Sequence, residues 1–344
     1  LNAGLEANDE LLKKEWIEYD GVRVRFFHYT SLFRYAFSLS FSFYLLNIIN
    51  EYEVIHITAV WNYPTFIAAL LCYVKRKKFI LSPTGALNAE AVESDKSNVK
   101  KFYYRFILRR LFKNAAYHFT SELDYKRFLS FNRSEVKHFI NPNGFDINAY
   151  SGSSEIKNFN PGKRKYILFL GRIDRIKGLE LLIKSFAAIS KKFPGVDLML
   201  AGPDSENYKS YLKKVINDLS LSERIKFPGM LNFDEKLSAL KNCEFLVLPS
   251  YSENFGNVVV EAMLCRKTVI VGKNVGLSEE ILLHNGGLVT EYDTESLSYA
   301  LEKLLSDIDY RNTLAENGYN YGIKNFKIDE AARQMLNEYL KIKQ

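Results

Sequence analysis

Several features are scarce in this sequence of 344 residues, and each scarcity excludes a class of protein. The three cysteines, Cys72, Cys243 and Cys265, lie far apart, so they fit neither a disulfide framework nor a zinc site and indicate a reducing compartment. The longest apolar runs, 35–49 and 60–74, are shorter than the roughly 20 residues that a transmembrane helix needs. The sequence therefore predicts a cytoplasmic globular protein.

Motifs for two common classes of ligand are also missing. No G-x-G-x-x-G follows a predicted strand, which disfavours a dinucleotide-dependent dehydrogenase. The formal net charge is +7, and most of the positive excess falls in residues 1–150. Because no nucleic-acid-binding motif accompanies this charge, we expect no nucleic-acid partner.

Short strands that alternate with amphipathic helical segments make up most of the chain. Predicted strands lie at Val22–His28, Val54–Thr58 and Lys78–Pro83, and the alternation restarts at Tyr166 after a stretch rich in Ser, Gly, Asn and Lys. This pattern predicts an α/β protein whose parallel sheets are covered by helices. The predicted parts are an N-terminal domain at 1–150, a linker at 151–164, a C-terminal domain at 165–325 and a C-terminal helix at 326–344.

The segment GRIDRIKG, residues 171–178, lies where a predicted strand passes into a helix. Open α/β sheets bind ligands at the carboxyl ends of their strands, and a helix start offers unpaired N–H groups to an anion. Arg172 and Lys177 add two positive charges, so this segment is suited to holding phosphate. The alternative is an ordinary strand-to-helix turn with a solvated Arg and Lys.

A second segment, SYSENFGNVVVEAM, carries two acidic residues around a helix start. Glu253 falls in the loop and Glu261 in the helix, where a carboxylate can accept hydrogen bonds from both hydroxyls of a ribose. The residues at the helix start, where free N–H groups can face an anion, are Phe255, Gly256, Asn257 and Val258. Alternatively, Glu253 is a helix-start acid and Glu261 a solvated helix residue.

Together with LAGP and FPGML, and in this order and spacing, the two segments resemble the retaining glycosyltransferases of family 4. The N-terminal half matches more loosely, through VIHIT, SPTGAL, FTSELD and INPNGFD. The resemblance implies the GT-B fold, an α/β architecture in which two Rossmann-like, doubly wound parallel-sheet domains face a cleft.

The resemblance also implies roles for the candidate residues. Arg172 and Lys177 are expected to bind the donor diphosphate and to stabilise the charge that develops on it. Glu253 is expected beside the transferred sugar, as a third catalytic residue, and Glu261 on the nucleotide ribose. We expect no enzymic nucleophile, no metal and no cofactor besides the nucleotide-sugar substrate, and the Asp-x-Asp at 307–309, between C-terminal helices, is interpreted as coincidental.

On the N-terminal side, the candidates for contact with an acceptor are His56, Asn62, Thr84 and Gly85. His56 has the alternative of a structural histidine within its strand, and Thr84 stands where many members of the family carry His. Nothing upstream of Val22 supplies the first strand, glycine-rich loop and helix of the family. We therefore also expect an N-terminal truncation.

The segment VKKFYYRFILRRLFK, residues 99–113, predicts an amphipathic helix. The residues expected to face the core are Val99, Phe102, Tyr103, Phe106 and Ile107. The basic stripe expected on the surface consists of Lys101, Arg105, Arg109 and Lys113, flanked by Tyr104, Leu108 and Phe112. Cations beside exposed aromatic rings suit an anionic membrane surface, and the alternative is an ordinary solvated helix.

The resulting expectation is a retaining glycosyltransferase that moves a sugar from a nucleotide-diphosphate sugar to a glycan or lipid-linked acceptor. Bacterial cell-surface polysaccharide or lipopolysaccharide synthesis, at the inner face of the cytoplasmic membrane, is the expected setting. The alternatives are another GT-B enzyme, such as a sugar-nucleotide epimerase or a phosphorylase, and a non-catalytic module that binds a nucleotide or a membrane.

Overall fold

A computed structural model describes residues 16–19, 21–30, 36–88, 97–151 and 164–343. The chain divides into two compact units, each assembled from separate stretches of sequence. Unit 1 comprises Leu1–Phe119, Phe128–Phe139 and Asn337–Gln344, and unit 2 comprises Thr120–Arg127 and Ile140–Leu336. Most of the predicted linker, and the sequence before Trp16 to which the expected truncation refers, lie outside the described residues.

The described part of unit 1 begins with a short antiparallel hairpin. Strands β1 (Ile17–Tyr19) and β2 (Val22–Val24) pair with each other across Gly21, which has a φ of 76°. Glycine adopts this left-handed conformation without steric cost, so the turn can be tight. The strand predicted over Val22–His28 is therefore shorter than expected, and it pairs antiparallel with β1.

A parallel sheet follows the hairpin. Its strands, in spatial order, are β3 (Val54–Thr58), β4 (Lys78–Ser82), β5 (Ala115–Phe119) and β6 (His138–Ile140). The central strand β4 buries Phe79, Ile80 and Leu81 almost completely. A continuous apolar run of this kind is typical of a strand that is covered on both faces.

Helices precede and connect these strands; they are Leu39–Ile48, Tyr63–Val74, Ser97–Tyr103, Arg109–Leu111 and Glu122–Asn132. The short helix Ile147–Ser151, after β6, lies in unit 2. Asn62 begins the helix Tyr63–Val74, because its side-chain oxygen accepts a hydrogen bond from the backbone N–H of Thr65 at 2.8 Å.

The face that the segment 99–113 turns inward differs from the prediction. The expected core residues Val99, Phe102, Phe106 and Ile107 are exposed, whereas Tyr104, Leu108, Leu111 and Phe112 are buried. The segment carries two apolar stripes at helical spacing, and periodicity alone cannot choose between them. A π-helical stretch at Tyr104–Leu108 adds a residue to one turn, and the Tyr104 ring packs on Phe131 at 5.1 Å between centroids.

Unit 2 contains a six-stranded parallel sheet within the residues described. Its strands are β7 (Lys165–Leu170), β8 (Val196–Ala201), β9 (Ile225–Gly229), β10 (Leu246–Leu248), β11 (Val269–Gly272) and β12 (Gly287–Thr290). The spatial order is β12-β11-β10-β7-β8-β9. Sequence order thus runs in opposite directions on either side of the β7–β10 pair, which makes this pair the topological switch point where such sheets bind ligands.

Helices cover this sheet, and its apolar core is continuous. They are Leu179–Ser190, Tyr208–Asp218, Phe233–Asn242, Asn257–Leu264, Ser278–Leu283, Thr294–Ser306 and Ile308–Asn325. The last helix, Ile328–Lys343, continues into unit 1, where its Ile342 packs with Ile80 and Ala116. Asp307 begins the helix Ile308–Asn325 by accepting a hydrogen bond from the Tyr310 N–H at 2.9 Å. No helix in the described part of the chain combines the length and the apolar character needed to cross a bilayer.

Candidate functional site

Two loops meet beside the switch point of unit 2. GRIDRIKG follows β7, and PSYSENFG follows β10. The loops are joined directly, since the Tyr251 N–H donates to the Ile176 carbonyl at 2.8 Å. Gly178 is required by this packing, because its φ is 68° and an added Cβ would lie 2.2 Å from the Pro249 carbonyl oxygen.

Lys177 and Glu253, one from each loop, form an ion pair. Their side chains are only 14% and 22% exposed. A pair with so little solvent around it is screened less by water and salt than a surface pair. The structure thus holds a cation and a carboxylate in direct contact at the edge of the sheet.

The ion pair lines a pocket of 240 Å³. Its walls are formed by Asn143, Leu170, Lys177, Leu248, Glu253, Asn254, Phe255, Gly256, Asn257 and Val258. Six of the predicted donor-site residues are therefore brought together. Arg172 and Glu261 are not among the residues that line this pocket.

The start of the helix Asn257–Leu264 forms one side of this pocket. Gly256, with a φ of 93°, turns the chain into the helix, and the Asn143 side-chain amide donates to Asn257 Oδ1 at 2.7 Å. Phe255 is buried and packs edge-on against Phe326 at 5.7 Å between ring centroids. The contact between Phe255 and Phe326 therefore anchors the loop to the core of unit 2. Gly256 has no side chain, so a ligand can approach the backbone closely there.

Glu261 lies one turn further along the same helix, among partners that sequence analysis did not identify. Its Oε1 accepts hydrogen bonds from Lys236 Nζ at 2.7 Å and from the Tyr150 hydroxyl at 3.2 Å. Burial, and next the negative charge of Glu261, raise the pKa of Tyr150. Tyr150 therefore acts as a neutral donor that orients the carboxylate.

Arg172 is more open than Lys177. Its guanidinium is 61% exposed and lies 3.3 Å from a carboxylate oxygen of Asp174. Asp174 also accepts a hydrogen bond from the Ile176 N–H at 3.1 Å, so it shapes the turn as well as pairing with Arg172. An exposed ion pair of this type is weak, and the guanidinium is available to an incoming anion.

The acceptor-side candidates lie in unit 1 and have different surroundings. His56 has both ring nitrogens engaged, with Ser82 Oγ at 2.6 Å and the Tyr339 hydroxyl at 2.7 Å. Burial, with a smaller contribution from the charge of His118, lowers the pKa of His56 from 6.5 to about 4. His56 is thus neutral and bonded within its own unit near neutral pH.

The loop after β4 carries two further candidates. Thr84 is exposed and has a φ of 50°, and Gly85 has a φ of 75°. A β-branched residue is rarely found in the left-handed region, and such strain concentrates at functional sites. The role of this loop, like those of His56 and Asn62, stays a prediction.

Sequence reasoning missed Asn143, Tyr150 and Lys236. Asn143 lies in INPNGFD, which was part of the family resemblance, so a signal for it existed. Lys236 lies in the first turn of the helix Phe233–Asn242, which is fixed by a capping box between Asn232 and Glu235. No spacing in the sequence relates Lys236 or Tyr150 to Glu261.

Comparison with known proteins supports an assignment for the C-terminal part of the chain. Residues 153–321 match the family model described as glycosyl transferases group 1. An uncharacterized glycosyltransferase of Methanocaldococcus jannaschii is 31% identical over 207 residues, which is 58% of this chain and 52% of that protein. The D-inositol 3-phosphate glycosyltransferase of Pseudarthrobacter chlorophenolicus is 29% identical over 176 residues, 49% of this chain and 42% of that protein. The chain thus spans about half the length of these curated relatives.

Solved structures match over most of the chain. The sucrose-phosphate synthase of Thermosynechococcus elongatus has a TM-score of 0.77 and 19% identity, and covers 96% of this chain and 86% of its own. Anabaena HepE, solved with UDP and glucose, has a TM-score of 0.74 and 21% identity over 87% of this chain and 81% of its own. The predicted fold class is confirmed: the chain has the GT-B fold, and its residues 153–321 match the model of the glycosyl transferases group 1 family.

Proposed function

We propose that this protein is a retaining glycosyltransferase of family 4 that uses a nucleotide-diphosphate sugar as donor. The observation that carries the proposal is the Lys177–Glu253 pair, held beside a helix start at the switch point of unit 2. A cation, free backbone N–H groups and a carboxylate in one pocket match a ligand with a diphosphate at one end and sugar hydroxyls at the other. HepE, which shares the fold, was solved with UDP-glucose.

In this proposal, the donor changes the partners of the ion pair. Lys177 turns from Glu253 to the diphosphate, and Arg172, which is exposed, joins it. Glu253 is then able to accept hydrogen bonds from hydroxyls of the transferred sugar. Glu261, oriented by Lys236 and Tyr150, accepts from the ribose.

The chemistry follows from where charge develops. The bond between the anomeric carbon and the phosphate oxygen breaks, and a bond from that carbon to an acceptor hydroxyl oxygen forms on the same face. The acceptor proton passes to a phosphate oxygen of the leaving nucleoside diphosphate, so no enzymic nucleophile takes part. Prepositioned cations stabilise the leaving diphosphate, and we propose that Lys177 and Arg172 do this without a metal.

The proposed acceptor is a glycan or a lipid-linked glycan of a bacterial cell surface. WaaG, a glycosyltransferase involved in lipopolysaccharide biosynthesis, shares the fold with a TM-score of 0.63 at 16% identity. The exposed Thr84 and Gly85 loop and Asn62, at a helix start, are the proposed acceptor-side contacts, with His56 behind them in the sheet.

We also propose that unit 1 contacts the inner face of the cytoplasmic membrane. Phe102 and Phe106, each 61% exposed, pack together at 4.6 Å between ring centroids. They share a helical segment with four exposed cations, Lys101, Arg105, Arg109 and Lys113; we call these six residues the basic aromatic face. Exposed rings among cations fit an anionic lipid surface better than a solvated helix, which would carry polar residues at these positions.

A transfer assay tests the proposed activity. The protein is incubated with UDP-, GDP- and ADP-sugars and with inositol 3-phosphate, an octyl glucoside or a lipid-linked glycan as acceptor, and the anomeric configuration of the product is read by NMR. We expect acceptor-dependent release of one nucleoside diphosphate and a product with the configuration of the donor. An inverted product contradicts the retaining assignment, and binding without turnover supports the non-catalytic alternative.

The same assay separates the other GT-B activities. Epimerisation of the sugar nucleotide without an acceptor, or release of the sugar that depends on inorganic phosphate, would replace the transferase proposal by an epimerase or a phosphorylase. The double variant Lys177→Ala/Glu253→Gln is the negative control in each of these assays, because it removes both members of the ion pair.

A further inference from the structure

Unit 2 contains a second and larger pocket built on the same two loops. Its volume is 530 Å³, within the range of small-molecule sites. The larger pocket is lined by Arg175 from GRIDRIKG and Tyr251 from PSYSENFG. The smaller pocket is lined by Lys177 and Glu253 from the same two loops. We call this larger space the tyrosine pocket; its walls include Arg175, Glu180, Lys184, Tyr208, Tyr251 and Tyr292.

Aromatic rings form much of the tyrosine pocket. Tyr251 is 41% exposed, and its ring lies 5.0 Å from that of Tyr292 at an angle of 53°. The Tyr292 hydroxyl is already used, because it donates to the Ser250 carbonyl at 2.9 Å. Tyr292 can therefore contact a ligand only through the face of its ring. A ligand ring with C–H groups on one face packs well against an aromatic face of this kind.

Fixed polar groups lie beside these rings. Glu180 accepts hydrogen bonds from Lys184 Nζ at 2.7 Å and from the Tyr211 hydroxyl at 2.8 Å, and these two partners lower the pKa of Glu180. The Arg175 guanidinium lies over the ring of Tyr208, 4.9 Å from its centroid. A carboxylate and a guanidinium held in place can accept from and donate to neighbouring hydroxyls of one ligand.

The charges of the tyrosine pocket balance. Arg175 and Lys184 are matched by Glu180 and by Asp293, which also begins a helix by accepting from the Ser296 N–H at 2.7 Å. A lining with two carboxylates gives no net attraction for a phosphate or a polyanion. The composition instead suits a neutral ring that carries hydroxyls.

We propose that the tyrosine pocket binds a neutral pyranose unit of a glycan, at a site separate from the Lys177–Glu253 pocket. The pyranose stacks its C–H face on Tyr251, and its hydroxyls bond to Glu180 and Arg175. This inference does not depend on the transferase activity, because binding is measured without a donor.

Saturation-transfer NMR tests the proposal, with maltotriose, cellotriose and mannotriose as probes. We expect at least one trisaccharide to bind the wild type and Lys177→Ala equally, with Tyr251→Ala weakening it about 10-fold and Glu180→Gln about threefold. Tyr299→Ala is the matched control, because Tyr299 is an exposed tyrosine of unit 2 that does not line the pocket, and it should bind like the wild type.

Four results would overturn the inference. The first is that no trisaccharide binds at about 10 mM. The second is that Tyr299→Ala and Tyr251→Ala weaken trisaccharide binding equally, and the third is that Lys177→Ala loses trisaccharide binding whereas Tyr251→Ala retains it. The fourth is that glucose 6-phosphate binds more tightly than glucose. The third would assign the sugar to the smaller pocket, and the fourth would assign the tyrosine pocket to an anion. Because Glu180→Gln preserves the side-chain shape, it tests the site even if Tyr251→Ala disturbs the loop.

Discussion

The two units of this protein treat polar groups in different ways. Unit 2 holds full charges together in half-buried ion pairs, Lys177–Glu253 between two loops and Lys236–Glu261 between two helices. Unit 1 keeps a neutral hydrogen-bonded group inside its sheet, where His56 contacts Ser82 Oγ at 2.6 Å and the Tyr339 hydroxyl at 2.7 Å. Four of its exposed cations lie on the basic aromatic face.

This difference indicates what each unit can bind. Half-buried charges that are already paired can exchange their partners for a charged ligand without first being desolvated. A neutral interior with cations on the surface gives no such exchange, but it suits a neutral hydroxyl or an anionic lipid surface. Substitutions at the half-buried ion pairs of unit 2 should therefore weaken donor binding, and those on the basic aromatic face of unit 1 should leave donor binding intact.

The largest expected effect comes from the ion pair in unit 2. Lys177→Ala should lower the rate of sugar transfer by about 10³-fold, because the leaving diphosphate loses a prepositioned cation. The matched control is Lys192→Ala, which breaks the exposed pair between Lys192 and Glu302. The initial rates of nucleoside diphosphate release by the two variants and the wild type are compared. A near-normal rate for Lys177→Ala would show that Lys177 does not take part in sugar transfer.

The basic aromatic face provides the next largest effect, in unit 1. Replacing Lys101, Arg105, Arg109 and Lys113 together by Ser should weaken binding to phosphatidylglycerol vesicles by about 100-fold. Vesicle binding is measured by co-sedimentation at low and high salt, and vesicle binding by the wild type should weaken as the salt concentration rises. Donor binding should not change in this variant; if it did, the division of roles between the units would fail.

Acidification probes the neutral interior of unit 1. Because the pKa of His56 falls from 6.5 to about 4 on folding, the unfolded chain binds more protons than the folded chain between these values. The free energy of unfolding should thus decrease by roughly 2 kcal/mol from pH 6.5 to pH 5 on account of His56. Asp124 acts in the opposite direction, because burial raises its pKa to about 6.

Urea denaturation of the wild type and of His56→Asn over this pH range isolates the contribution of His56. The variant should lack that part of the pH dependence, and the Asp124 contribution should remain in both proteins. Parallel stability curves for the two proteins would contradict the assignment of the low pKa to His56.

The smallest expected effect concerns the second glutamate of unit 2. Lys236→Met should weaken donor binding by about 10-fold, because Glu261 loses the cation that orients it. Lys236→Met should change the dissociation constant of the donor rather than the rate of sugar transfer by the enzyme–donor complex. Lys213→Met, at an exposed lysine of unit 2, is the control, and a similar change in both variants would argue against a specific role for Lys236.

The candidate site was predictable where it depends on local sequence. Lys177 and Glu253 each follow a buried strand by a few residues, and the alternation of strands and helices indicates that both loops lie at one sheet edge. Partners from distant elements were not predictable in this way. Tyr339, which contacts His56, lies 283 residues away from it, and Lys236 reaches Glu261 only through the packing of two helices.

The segment 99–113 illustrates a different limit. Its two apolar stripes satisfy helical periodicity equally well, and the buried one was decided by the contacts of Tyr104 with Phe131 and with Asn132, whose Oδ1 accepts from the tyrosine hydroxyl at 2.8 Å. The four cations were nevertheless correctly predicted to be exposed. The correction leaves Phe102 and Phe106 beside the cations, so the basic aromatic face differs from the surface first expected.

Calorimetric titration with nucleoside diphosphates tests the central claim most directly, that Lys177 exchanges Glu253 for a diphosphate. UDP, GDP and ADP are titrated into the wild type, Lys177→Ala and Lys192→Ala. The account predicts that one nucleotide binds the wild type and Lys192→Ala alike and binds Lys177→Ala about 100-fold more weakly. Equal affinity of that nucleotide for the wild type and Lys177→Ala would contradict it.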